Sequence, residues 1–352
     1  MKCALFTVHS TPCLFGRETI EQTGPTSAPQ LLDWAEAHAT QAPLAVIGHR
    51  VVHGGPRHQD PQRISDELLD ELEELIPFAP NHLPDEIALI RALQRNRPEV
   101  PQIACFDTAF HHNLPDVARS LPIPRKFEER GVRRYGFHGL SYAYLTQEIA
   151  RLAGRAAANA RLVLAHLGNG SSLAAVRNGS CIDTSMGFTP LGGVIMSTRA
   201  GDLDPGLVTF LARTEHLSPE QLEELLSKQS GLLGISNVTG DMRRLLEREA
   251  TDSACRLAVA MYVYQIKKWI GSFAAALGGL DCLVFAGGIG EHAPAIRARV
   301  CAELGFLGIE IDEPANQRNA SIVSTPGAAA VVRVIPTNEE LMIAQAASRL
   351  VT

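Results

Sequence analysis

Residues 162–184 read Leu-Val-Leu-Ala-His-Leu-Gly-Asn-Gly-Ser-Ser-Leu-Ala-Ala-Val-Arg-Asn-Gly-Ser-Cys-Ile-Asp-Thr. Leu162 to Leu167 is an apolar run of strand length, and Gly168-Asn169-Gly170 is a turn. Ser172 to Val176 is a second strand, Asn178-Gly179 a hairpin turn, and Cys181 to Thr184 a third strand. Glycines let a turn take positive φ and let backbone amides approach an anion without a side chain in the way. An ordinary hairpin turn would need the same residues, so the turn alone leaves both readings open.

Working outward, helices follow the meander. Ser218-Pro219-Glu220-Gln221 is a helix start, with a capping serine, proline in the first turn and Gln three residues after the cap. A long helix spans about Asp252 to Leu277, then a strand Leu283 to Phe285, a glycine loop Gly287 to Gly290 and a helix through Ile296 to Leu304. A loop opening into a helix favours phosphate through free amides and the helix dipole. Gly288-x-Gly290-x-x-Ala293 also meets a loose dinucleotide fingerprint, but about sixty residues follow it, too few for the rest of such a fold. Upstream, Leu44 to Ile47 reads as a strand, Ile64 to Ile76 as a helix ended by Pro77, Ile87 to Leu93 as a helix and Gln102 to Phe106 as a strand. This order predicts a mixed α/β architecture rather than a purely parallel sheet.

The 352 residues, 45% hydrophobic, are enough for two packed domains. Charged residues make up 20%, the net charge is −6, and no basic stripe offers a footprint for nucleic acid. Any bound phosphate is held locally, by glycine turns and a few placed arginines. Seven dispersed cysteines without paired spacing point to a reducing compartment, hence the cytoplasm. The apolar segment Leu257 to Leu277 carries Lys267 and Lys268 at mid-length, which predicts a buried helix and not a membrane span.

Two arginines stand beside glycines, Arg50 in Gly48-His-Arg-Val-Val-His-Gly-Gly55 and Arg199 in Ser197-Thr-Arg-Ala-Gly-Asp202. Guanidinium groups suit the equatorial oxygens of a phosphoryl group in transfer. Asp107 directly follows the strand ending at Phe106, and Glu339 follows Pro336-Thr337-Asn338. Carboxylates at strand ends suit Mg²⁺, which takes one or two and keeps several waters. The pair His111-His112 points apart on a helix and makes a poor metal site. His138, between Phe137 and Gly139, is a candidate for a hydrogen bond to phosphate or a core histidine.

Taken together, GHRVVHGG (48–55), FDTAFHHNLP (106–115), YGFHGLS (135–141), HLGNGSS (166–172), DTSMGFTPLGG (183–193), TRAGDLDP (198–205), SGLLGIS (230–236), GGIGEH (287–292) and PTNEEL (336–341) resemble the successive signatures of the acetate kinase family. They stand in that family's order from about residue 44 to the end. The resemblance implies the acetate and sugar kinase, Hsp70 and actin fold, a two-domain actin-like ATPase with mixed five-stranded sheets flanked by helices. The domains implied are 1–108 plus 338–352, and 109–337 on the nucleotide and dimer side. The reaction implied is reversible transfer of a phosphoryl group from ATP to acetate or another short-chain carboxylate, with Mg²⁺ or Mn²⁺, in a homodimer. Carried over by motif, Arg50 and Arg199 would stabilise the transition state and His138 would add a hydrogen bond. Asp107 and Glu339 would serve the metal and the attacking carboxylate. Val52, Phe137 and Pro190 would line the methyl pocket, with Asn81 and His82 near the substrate. His166, Gly168, Asn169 and Gly170 would hold the nucleotide phosphates, and Asp241, Arg243, Gly288 and Ile289, with His292, would contact the nucleotide.

The chain also departs from the family pattern. The family opens with a strand and an Asn/Ser phosphate loop, whereas this sequence opens Met1-Lys2-Cys3-Ala4, like the strand after that loop. The expectation is a start displaced past the loop, with Lys2 to Val8 left as a sheet edge; turnover undiminished without the loop would instead mean that His9-Ser10-Thr11 or another local loop has taken over the phosphate contacts. Asn81 stands where the family has leucine, Ser197 and Gly192 replace a glycine and a glutamate, and Tyr142 and His292 replace a histidine and an asparagine. Alternatives to the acetate kinase reading are a kinase of a different small acid and a catalytically weak nucleotide-binding relative.

Overall fold

Among the described residues ten strands carry the architecture, and the point at which each ladder starts and stops places the chemistry. The computed structural model describes residues 2–8, 12–19, 25–39 and 43–351. The chain divides into unit 1 (Met1–His112, Phe137–Tyr144, Asn338–Thr352) and unit 2 (Asn113–Gly136, Leu145–Thr337).

In unit 1, β1 (Lys2–Phe6) and β2 (Leu14–Thr19) form an antiparallel ribbon. The expected edge at Lys2 to Val8 therefore has a strand on one side, while His9-Ser10-Thr11 lies outside the described residues. A second sheet has the order β3–β5–β4, from β3 (Ile47–Val51), β4 (Gln62–Arg63) and β5 (Gln102–Phe106). The strands of this unit are thus divided, three in one sheet and two in the ribbon. β3 runs parallel to β5, from Ile47 opposite Gln102 to Val51 opposite Phe106. The sequence places this strand at Leu44 to Ile47; the ladder instead begins at Ile47. The Ile47 amide donates to the Pro101 carbonyl at 3.0 Å, and the proline nitrogen has no hydrogen with which to continue the pairing. At the far end the Asp107 amide donates to the Val51 carbonyl at 2.9 Å. Arg50, Val52 and Asp107 therefore come out at neighbouring strand tips.

The sheet is backed by the helix Glu339–Val351, whose Met342, Ala346 and Ala347 pack on Ile103, Cys105 and Leu140. The helix Leu83–Asn96 starts four residues before its expected position, with Pro84 in its first turn. Among the buried histidines of this unit, His49 and His111 each hold a hydrogen bond to a neighbouring element. His49 Nε2 donates to Gln102 Oε1 at 2.6 Å, and His111 Nε2 donates to the Phe137 carbonyl at 3.0 Å. Burial pushes both imidazoles down to about 4. Each folded-state value lies below that of the unfolded chain, so the neutral fold is fully favoured above about pH 6.5 and loses stability as the pH falls toward 4. At pH 5 each histidine costs roughly 2 kcal/mol. The expected result is a thermal midpoint that drops between pH 6.5 and 5, with a smaller drop in His49→Gln. Equal drops in the two proteins would show that His49 is not the group being titrated.

Unit 2 carries the five-stranded mixed sheet, in the order β10–β9–β6–β7–β8. The meander β6 (Leu162–Leu167), β7 (Ser171–Arg177) and β8 (Ser180–Thr184) lies where the sequence places it. Asn178 and Gly179 both have positive φ, 54° and 73°, as a two-residue hairpin of matching twist requires. β9 (Cys282–Ala286) joins parallel to β6, and β10 (Val331–Val334) joins parallel to β9. The helix Ser253–Leu277 is capped by Asp252, which accepts the Ala254 amide at 2.9 Å. Ala258, Tyr262, Ile266, Ile270 and Phe273 recur at helical spacing on its face toward the sheet and are almost wholly buried. Burial of each larger apolar side chain among them contributes about 1.5–3 kcal/mol. The capping box at Ser218 and Gln221 is formed in both directions. Among the described residues no helix is long and apolar enough to cross a membrane.

Candidate active site

In unit 1, Arg50 stands among the carboxylates of Asp107, Glu339 and Glu86. Its Nη2 donates to Asp107 Oδ2 in a short ion pair. Asp107 is fully buried because it follows a strand with no exposed residue. Burial works against the Arg50 charge, but Asp107, Glu339 and Glu86 overcome it and hold the guanidinium firmly protonated. Arg50 Nε and Asp107 Oδ1 are both buried with no hydrogen-bond partner among the described residues. A buried polar atom left in this state costs about 1–3 kcal/mol. The pair thus holds one open donor and one open acceptor, and a cation at Oδ1 would satisfy the carboxylate.

His138 lies one residue before a backbone bond to Asp107. It has a φ of 59°, unusual for a residue with a side chain. The next residue fixes it there, since the Gly139 amide donates to the Asp107 carbonyl at 2.8 Å. Strained backbone of this kind concentrates at functional sites. Val52 and Phe137 are 2% and 1% exposed, and the Phe137 ring lies edge-on to His53 at 5.7 Å. Glu339 occupies the first turn of the helix Glu339–Val351. His82 is half-buried just before the helix Leu83–Asn96, whereas Asn81 is exposed in the turn ahead of it.

In unit 2 four loops converge. The Gly168-Asn169-Gly170 turn joins the Arg199 loop through the Ser197 amide, which donates to the Asn169 carbonyl at 3.1 Å. Ser197 Oγ donates to the Gly240 carbonyl at 2.8 Å, bringing in Asp241, which caps the helix Met242–Arg248 by accepting the Arg243 amide at 2.8 Å. Arg199 Nη1 donates to the carbonyl of buried Pro190 at 3.2 Å. The fourth loop is Gly287–Gly290, expected as a loop before a helix. It is instead the first turn of a short helix, Gly287–His292. Gly287 has a φ of 75°, and a Cβ there would lie 2.7 Å from the Leu167 carbonyl, so glycine alone fits where this turn abuts β6. His166 and Ile289 are half-buried, Gly288 is exposed, and the Arg243 and His292 side chains point to solvent at the rim.

Three groups in these clusters escape sequence reading. Glu86, in the first turn of the helix Leu83–Asn96, looks like an acid placed for the helix dipole. Its Oε2 in fact accepts the Val52 amide at 3.0 Å, and burial, partly offset by Arg50, pushes its carboxyl up to about 7. Glu291 Oε1 accepts the amides of Gly287 at 2.8 Å and Thr337 at 3.1 Å, tying the glycine turn to the segment before Asn338. Arg297 is completely buried and donates to the Gly290 and Glu291 carbonyls, the Asn316 carbonyl and the side-chain oxygens of Asn316 and Asn319. It thereby holds the carbonyl end of the helix Gly287–His292.

Comparison with known proteins agrees with the motif order. Residues 22–345 match the model of the acetokinase family. An acetate kinase of Rhodopseudomonas palustris is 46% identical over 91% of this chain and 80% of its own length. A propionate kinase of Citrobacter rodentium is 45% identical over 91% of this chain and 81% of its own. The crystal structure of a propionate kinase from Francisella tularensis superimposes with a TM-score of 0.88 at 37% identity, covering 95% of this chain and 87% of that one. The fold is the two-domain actin-like ATPase fold of these enzymes, and the chain belongs to the acetokinase family.

Proposed function

We propose that this chain catalyses reversible transfer of a phosphoryl group from ATP to acetate or another short-chain carboxylate, giving an acyl phosphate and ADP. The observation that carries the reading is the Arg50–Asp107 pair, with one donor and one acceptor left open at the strand tips. Phosphoryl transfer needs little covalent help from a protein, so placed charge is the main requirement. Arg50 and Arg199 each supply a guanidinium to the transferred group, and His138 supplies a hydrogen bond. His166, Gly168, Asn169 and Gly170 hold the nucleotide phosphates, and Asp241, Arg243, Gly288, Ile289 and His292 serve the rest of the nucleotide.

Val52, Phe137 and Pro190 serve the apolar part of the acid, and His82 and the exposed Asn81 its selection. Mg²⁺, or Mn²⁺ in its place, fits Asp107 and Glu339, because a buried carboxylate oxygen is open at Asp107. When bound, such an ion offsets the negative charge of the phosphates. We take 1–108 plus 338–352 and 109–337 as the working domains. The dispersed cysteines support a cytoplasmic enzyme. Leu257, Met261 and Tyr264, all substantially exposed on one long helix of unit 2, support a homodimer.

The test is a hydroxamate assay with ATP, Mg²⁺ and a panel of short acids including acetate and propionate. Acyl phosphate is the expected product. No product from any acid, with ADP still bound, would replace the kinase reading with that of a nucleotide-binding relative.

A further inference from the structure

β3 and β5 end at the same level, and Val52 is the first residue past the ladder. The carbonyl of Val51 already has the Asp107 amide. Among the described residues the amide of Val52 has no strand to pair with, and Glu86 Oε2 accepts it at 3.0 Å from the first turn of the helix Leu83–Asn96. Val52 is 2% exposed, so water is a poor substitute for that acceptor. A side chain from a helix has thus taken over the ladder at the point where Arg50 and the apolar wall leave the sheet.

We infer that Glu86 is a positioning residue for the acid substrate, its carboxyl oxygen fixing the Val52 backbone and with it the wall of the acid pocket beside Arg50. The assignment rests on the acid-kinase reading above. Val52 is β-branched and stiff at χ1, so a rotation of its backbone moves its methyl groups with little slack. Releasing the amide therefore displaces the wall and changes which acids fit, while the nucleotide loops of unit 2 keep their own hydrogen bonds. The Arg50–Asp107 pair is also retained, since neither partner depends on Glu86 for a hydrogen bond.

Three variants separate the roles of the oxygen and the charge. Glu86→Gln keeps an acceptor oxygen at the same reach, Glu86→Asp withdraws it by one methylene, and Glu86→Ala removes it. Glu86→Ala and Glu86→Asp are expected to raise the KM for acetate about ten-fold, the scale set by one unsatisfied buried amide. They should also shift the propionate-to-acetate ratio of kcat/KM and leave the KM for ATP within about two-fold. Glu86→Gln is expected to stay near wild type on all three. An active wild type with unchanged acid KM and unchanged ratio in Glu86→Ala overturns the assignment alone. So does Glu86→Gln behaving like Glu86→Ala, which would assign the effect to charge, or a uniform loss that includes the KM for ATP. If Glu86→Ala does not fold, the comparison of Glu86→Asp with Glu86→Gln decides. A wild type that makes no acyl phosphate overturns the kinase reading itself, and this assignment with it.

Discussion

Replacing Arg199 by alanine is expected to lower kcat by about 10³-fold, since the transition state of phosphoryl transfer loses a guanidinium. The fold should survive the change, because the loop is held by its backbone. The Met196 amide donates to the Arg199 carbonyl, the Ala200 amide to the Leu226 carbonyl, and the Leu232 and Leu233 amides to the Met196 and Ser197 carbonyls. Thr198 Oγ1 adds a bond to the Ser227 carbonyl at 2.8 Å. None of these uses the guanidinium. The side chain itself is aimed by the Pro190 carbonyl at 3.2 Å, a contact that Arg199→Lys cannot make while also presenting a planar fork. Lysine should therefore rescue poorly. Steady-state kinetics beside thermal unfolding will test this, and a variant retaining more than about a tenth of the turnover would remove Arg199 from the chemistry.

The sequence is most legible where local chemistry decides the backbone. The meander 162–184 could be read because Asn178-Gly179 suits one turn type and the flanking runs have strand length. The cap at Ser218 could be read because its partner stands three residues away. The register of β3 was harder, since its start depends on Pro101, more than fifty residues downstream, rather than on the apolar run before it. The turn Gly287–Gly290 reads as a loop because glycine is a poor helix former, yet it is helical. There Glu291 takes the Gly287 amide and Arg297 takes the carbonyls at the other end. Glu86 and Arg297 share a reason for being missed. Each satisfies backbone groups of a distant element, and such a debt leaves no periodic trace in the chain. The positions of Arg50, Asp107 and His138 were visible as motifs, but the open valences of the pair were not, since they depend on burial.

Arg50 should behave differently from Arg199, and the difference follows from its partner. Arg50→Met removes the hydrogen-bond donor to Asp107 Oδ2 while the other carboxylate oxygen is already open. The Asp107 side chain is 0% exposed and that of Arg50 36% exposed, so the unpaired charge is left on the buried carboxylate. Breaking a buried pair by removing one member costs about 3–5 kcal/mol, and the solvent reaching Arg50 argues for the low end. The expected result for Arg50→Met is a loss of about 3 kcal/mol from unit 1 together with a fall in kcat of about 10³-fold or more. Adding Asp107→Asn removes the stranded charge. The double variant should then regain much of the stability and none of the activity. A double-mutant cycle read by urea unfolding of the ligand-free protein, with kcat measured in parallel, separates the two effects. If Arg50→Met unfolds at the wild-type midpoint, the pair does not support the fold and the open valences at the strand tips lose their significance. If the double variant recovers turnover along with stability, Arg50 acts only by holding Asp107 in place, and a guanidinium at position 50 is not needed by the phosphoryl group.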